Sequence, residues 1–271
     1  MSDLTLEKGP IVGPSSQVQD RVSTAYNISI FALETTQRFW YGARYITWDG
    51  RVFKYCRSKG TLKSGYGVFN IATQNIGAVP PYAYAIGDRS VIVTIASGDG
   101  YAADGVVDEN ELAGGFFITG HDEEDIVQTR LIEANTAVLT GGGECTLKLD
   151  MPICKAVTTS SYNEVVLNPY AYLSPGNKNY EAVMCVPVVG CTTGQNFWGQ
   201  TWGPCFVVPG GSDATPGNTV NDRMAFFVAD GTVNFGTSIT IETGYQPAGF
   251  CIDQTSSALS AIPLIMLQIS I

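Results

Sequence analysis

The chain has 271 residues, of which 45% are hydrophobic and 15% charged, and its formal net charge is −10. Acids outnumber bases 25 to 15 with no basic run, which argues against direct nucleic-acid binding through phosphate neutralisation. No apolar run is long enough for a membrane-crossing helix, and one histidine without a CxxC pair does not give zinc-ligand spacing.

The length suits one large β domain or two smaller ones with a substantial core. The charged share is below the roughly 25% of an ordinary soluble protein. Either partners cover part of the surface, or Ser, Thr and Asn replace charges there. The seven cysteines are odd in number, and the first residues, MSDLTLEKGP, lack an apolar signal core. The expectation is synthesis in a reducing cytoplasm, with thiols buried as small hydrophobes.

In chain order, residues 1–26 come first as an extended arm. Gly9-Pro10 and Gly13-Pro14 break it, and no period of 2 or 3.6 is sustained. Stretched out, it would reach roughly 85–95 Å, and it is expected to lie on a neighbouring subunit. From residue 27 the pattern is β nearly throughout. Strands are predicted at 27–33, 38–47, 52–56, 90–95, 116–119, 126–134, 145–149 and 164–167. Further strands are predicted at 182–188, 197–201, 205–208, 224–228, 238–243, 249–252 and 263–271. Thirty glycines suit so many turns. The best helical stretch, Thr61–Phe69, is weakened by Gly65 and Gly67. Asp108–Leu112 could form a single turn. At the chain end, Leu267, Ile269 and Ile271 alternate with Gln268 and Ser270, as in a strand with one buried face. The fold class is all-β, an antiparallel barrel or sandwich, with a second β lobe at about 88–168.

Chemical signatures are weak. His121 to Asp125 and Asp99 to Glu111 are acidic loops with oxygen ligands suited to Ca²⁺ or Mg²⁺. Neither has EF-hand spacing, and solvated turns explain both. Gly141-Gly142-Gly143 lacks the Lys-Ser/Thr of a phosphate loop. His121 has no nucleophile elbow near it for a triad. No catalytic residue, cofactor or metal site is therefore assigned. Arg38-Phe39-Trp40-Tyr41 could stack on a base or sugar, but it alternates like a half-buried strand. Trp198 and Trp202, four apart beside Gly199, would share one face of an unbroken strand and pack there, with Gly203-Pro204 ending it.

Two segments carry a resemblance. One is Tyr41-Gly42-Ala43-Arg44 followed by Asp49-Gly50-Arg51-Val52-Phe53-Lys54-Tyr55. The other is Phe197-Trp198-Gly199-Gln200-Thr201-Trp202-Gly203-Pro204 with the later Asp230-Gly231-Thr232. Between them lie Thr146 to Pro152 and Leu167-Asn168-Pro169-Tyr170. In this order the chain resembles the capsid decoration, or cement, proteins of tailed bacteriophages, over roughly residues 40–235. That resemblance implies a virion surface protein, made in the host cytoplasm, with no catalytic residues. It would bind the major capsid protein and itself, as a trimer by analogy, and neither nucleic acid directly nor membrane. The candidate partner-binding residues are Pro10, Ile11, Val12, Pro14, Phe39 and Trp40. Competing readings are a tail-tube or fibre-base protein, a carbohydrate-binding module using Trp40, Trp48, Trp198 or Trp202, and a β-sandwich hydrolase with a dispersed carboxylate pair.

Overall fold

The computed structural model describes residues 29–70, 76–77, 82–120, 126–139, 141–159, 161–176, 181–210, 223–235, 246–253 and 263–270. The protein is all-β. Its strands, numbered along the chain, begin with β1 (Arg44–Ile46), β2 (Val52–Arg57), β3 (Val68–Phe69), β4 (Ile76–Gly77), β5 (Ser90–Ile95) and β6 (Phe116–Gly120). Next are β7 (Gln128–Asn135), β8 (Gly143–Leu149), β9 (Tyr162–Val166), β10 (Ser174–Pro175) and β11 (Val183–Pro187). The last are β12 (Asn196–Phe206), β13 (Met224–Phe227), β14 (Val233–Phe235), β15 (Gln246–Asp253) and β16 (Leu264–Gln268). They form two curled antiparallel sheets, each a half-barrel.

The chain divides into two compact units, one of residues 1–71 and 170–271, the other of residues 72–169. The lobe drawn from the sequence at about 88–168 lies inside the second unit. That unit's sheet runs β4-β9-β6-β7-β8-β5. Alternation dictates its core: Val91 and Val93 of β5 face Leu147 and Cys145 of β8, and all four are buried. A buried polar row, Asn163–Thr119–Gln128, crosses β9, β6 and β7. The Gln128 side-chain oxygen accepts the N–H groups of Cys154 and Lys155 at 2.8 and 3.2 Å, and its nitrogen donates to the Lys155 carbonyl at 2.9 Å. One buried amide thus fastens β7 to the segment after β8.

The first unit's sheet follows β10-β3-β11-β12-β16-β15-β13-β14, with β2 also on β12 and β1 on β2. Strand β12 is its axis. It pairs with β2 along Asn196–Gln200 and with β16 along Trp202–Phe206, and the β2 register shifts between Gln200 and Trp202.

Several expectations are corrected. Residues 29–33 form a turn rather than a strand, and of 38–47 only β1 is extended. The stretch at 61–69 is not helical: Leu62 bridges to Cys191, and Val68–Phe69 is β3. The strands predicted at 197–201 and 205–208 are one strand, β12, which runs through Gly203-Pro204. The buried Gln200 amide donates to the carbonyls of Trp202, Gly203 and Pro204 at 3.1, 3.3 and 2.9 Å, so the irregularity is internally bonded and the strand continues. The last strand stops at Gln268, where the Ile269 and Ser270 N–H groups turn to the Thr201 carbonyl. The arm at 1–26, the acidic loop at 121–125 and the strand predicted at 238–243 lie outside the described residues.

Candidate interaction surface

The four tryptophans separate into different environments. Trp198 is 5% exposed. It packs with Phe39, Phe53 and Tyr55, flanked by Tyr41 and Tyr45. Its ring centroid lies 5.2 Å from Tyr55, 5.4 Å from Phe39 and 5.7 Å from Tyr45. The polar rim is bonded as well. The Tyr55 hydroxyl donates to the Glu34 carboxylate at 2.9 Å and accepts the Arg38 N–H at 3.2 Å, while the Arg38 guanidinium holds Glu34 at 2.8 Å. Burial first, and then the Glu34 charge, push the Tyr55 phenol well above its ordinary range.

Phe39, expected to bind a partner, is 6% exposed and fills this aromatic core. Its ring meets Tyr55 edge-on at 5.2 Å and Trp198 at a tilt at 5.4 Å. Trp40 is half-buried beside it. Pro10, Ile11, Val12 and Pro14 lie outside the described residues.

Trp202 does not share a face with Trp198. Paired residues of neighbouring strands lie on one face. Trp198 is opposite Tyr55 and Trp202 opposite Val52, three positions away on β2. The irregularity at Gln200–Trp202 has flipped the parity.

Beyond that point β12 borders a second surface. On its core side, Cys205, Val207, Ile265, Leu267, Ala248, Cys251, Ala225 and Phe227 interlock. The opposite side of the same four strands is also apolar. Pro204, Met266, Phe250 and Met224 stand directly opposite one another across β12, β16, β15 and β13. Phe206 faces Leu264 in the next row, and Pro247 faces Phe226. Phe206, Met224, Phe250, Ile252 and Leu264 are each between 38 and 45% exposed. At the edges of this face, Gln268 is uncharged, Asp253 ends β15 and Arg223 precedes Met224. These strands are therefore apolar on both sides, with the inner side buried and the outer side partly exposed. The signal in the sequence was the lost alternation in FCID, LIMLQ and MAFF, which propensity alone cannot separate from a doubly buried core strand.

Trp48 is a second exposed feature, 90% exposed at the tip of the β1–β2 hairpin. The turn beneath it is tied down. The Thr47 N–H donates to the Arg51 carbonyl at 2.9 Å, the Arg51 guanidinium to Asp49 at 2.8 Å, and the Thr47 hydroxyl to Asp49.

In the acidic loop from Asp99 to Glu111, carboxylates bond backbone N–H groups of the loop itself. Asp99 accepts the Ala96 N–H at 2.7 Å, Asp104 that of Val106 at 3.0 Å, and Glu111 that of Asp108 at 2.6 Å. Carboxylates used this way cap turns. Among the described residues, no three His, Cys, Asp or Glu side chains converge as a metal would need.

All seven cysteines are free thiols, and all but Cys154 are buried. Cys56 and Cys185 touch, sulfur to sulfur, at 3.7 Å. They stand on β2 and β11, the strands flanking β12, and meet over Gly199, where an added Cβ would lie 2.2 Å from the Cys185 sulfur. Two strand spacings, about 9.5 Å, exceed the reach of a disulfide. Burial pushes the Cys191 thiol up to about 11 and that of Cys205 up to about 12. Iodoacetamide at neutral pH is therefore expected to modify Cys154 alone in the native protein and all seven thiols after unfolding. Peptide mass spectrometry checks this, and rapid native labelling of Cys56 or Cys185 would contradict the packing described.

No family model, curated protein or solved structure matches this chain.

Proposed function

We propose that the chain is a structural protein of a tailed-phage virion. It decorates and stabilises the outside of the capsid by binding the major capsid protein and sister copies, and it performs no chemistry. The observation that carries this reading is the bare apolar face on β12, β16, β15 and β13. Burying such a face releases binding energy without a catalytic group, and a rigid sheet spends little entropy on docking. Contacts repeated around a shell add up even when each is modest. A net charge of −10 keeps the remaining surface soluble and suits the outside of a capsid better than a lumen filled with DNA. The seven free thiols suit synthesis in a reducing host cytoplasm. The segment 1–26, with Pro10, Ile11, Val12 and Pro14, is the second proposed grip.

The test is binding of the purified protein to capsids that lack it, for the full chain and for a variant without residues 1–26. Saturable binding that weakens on loss of the arm is the expected result. Folded protein of which neither form binds would remove the capsid reading. Rings or tubes formed by the protein alone, seen by electron microscopy, would favour the tail-tube alternative.

A further inference from the structure

We infer that Arg44 and Lys54, side by side on β1 and β2, form a binding site for a small doubly charged oxyanion of the phosphate class. The pair is separate from the apolar face, and the inference does not depend on the capsid reading.

The first observation is pairing. Arg44 stands directly opposite Lys54, so the two side chains share one face of the sheet with their Cβ atoms about 5 Å apart. Like charges in that relation destabilise a sheet. A carboxylate is the usual relief, and this chain has 25 acids for 15 bases. Arg38, Arg51 and Lys148 each hold a carboxylate within 3.2 Å. Neither Arg44 nor Lys54 has one among the described residues.

The second observation is burial. Both side chains are half-buried. The row continues from Lys54 to Gly199 on β12, where the Cys185 sulfur fills the space a side chain would take. The Lys54 ammonium lies 5.8 Å from the centroid of the Tyr170 ring. That ring is fixed. Its hydroxyl shares a hydrogen bond with the Ser270 hydroxyl at 3.1 Å, and a Cβ added to Gly42 would lie 3.0 Å from its edge. The ammonium thus loses part of its water, and a cation–π contact near its limit of about 6 Å replaces little of it. Burial first, and then the Arg44 charge, hold the Lys54 ammonium below its ordinary range. An anion held between guanidinium and ammonium offsets both penalties.

The ligand class follows from charge and shape. Two cations are balanced by two negative charges. The planar Arg44 fork takes two oxygens and the Lys54 ammonium a third, which a tetrahedral oxyanion supplies and a single carboxylate does not. The net charge of −10 leaves room for such a ligand, because exposed charges beyond about 8 Å are largely screened at physiological ionic strength. It disfavours a long polyanion laid across the surface.

The experiment is thermal melting of the full chain over a series of inorganic phosphate concentrations, with sodium chloride adjusted to hold ionic strength constant. Wild type, Lys54→Met and Arg44→Met are compared, since methionine keeps much of each apolar stem. The expected result is a saturable rise of a few degrees in wild type. The rise disappears in Lys54→Met, and half-saturation moves up roughly tenfold in Arg44→Met. Without phosphate both variants melt no lower than wild type, because the repulsion is gone, whereas a purely structural role would lower them. Acetic anhydride labelling of wild type, read by peptide mass spectrometry, needs no variant. Phosphate should slow acetylation of Lys54 severalfold and leave the exposed Lys148 unchanged. Wild type that shows no rise at constant ionic strength overturns the inference. An equal rise in Lys54→Met overturns it too, since that is the general effect of phosphate on burial. Acetate that matches phosphate at equal concentration overturns the ligand class, and acetylation of Lys54 that ignores phosphate overturns the site.

Discussion

Gly249→Ala is expected to melt the first unit at a temperature on the order of 10 °C or more below wild type, a loss of roughly 4 kcal/mol. Gly249 stands in the middle of β15 with φ of +135°, a conformation side chains rarely adopt. An added Cβ would sit 1.9 Å from the Met266 carbonyl oxygen on β16. That atom is backbone and belongs to a paired strand, so it cannot swing aside. Relief requires β15 and β16 to part. The consequence reaches the apolar face, because Gly249 fixes the register that sets Phe250 opposite Met266 and Met224. Differential scanning calorimetry reads the first effect, and a melt within a degree of wild type would show that β15 does not have this backbone.

The second large effect distinguishes two tryptophans that look alike in composition. Trp198→Ala should cost about 3–5 kcal/mol, because it empties the centre of the cluster of Phe39, Phe53 and Tyr55. It also removes the edge contacts that orient those rings. Trp48→Ala should change stability by no more than about 0.5 kcal/mol, since the side chain touches little of its own chain. Denaturant melts of the two variants test the pair. Equal losses would mean that the hairpin tip is not free. Emission adds a second reading: removing Trp48 should take away the red, solvent-exposed part of the tryptophan fluorescence.

These two substitutions show why local sequence was informative about some positions and not others. The strand at Ser90–Ile95 was legible because SVIVTI alternates and its flanks break it. Strands β3, β4, β10 and β14 have two or three residues each. Such pieces are held by their neighbours and carry no period of their own. The aromatic run at 38–41 promised a strand, because ring-rich segments favour sheets. The chain there instead turns inward to deliver Phe39 onto Trp198, and burial of the ring outweighs strand pairing. Trp198 and Trp202 were placed on one face by counting four residues. The count fails because a register shift bonded by the Gln200 side chain intervenes.

The sequence by itself determined the class of protein. Its composition, its alternating strands and the absence of any helical period leave an antiparallel β fold. Its acidic balance and lack of basic runs argue against direct binding of nucleic acid. These are local or summed properties, and folding cannot change them. Only the tertiary structure decided which apolar residues remain bare. Phe250 and Cys251 are neighbours in sequence, yet one faces outward and the other the core. Which of the two is covered depends on strand pairing between residues far apart in the chain, and on bulges that flip parity in a single step. The apolar row across β12, β16, β15 and β13 exists only after four separate segments come into register, so no stretch of the sequence contains it.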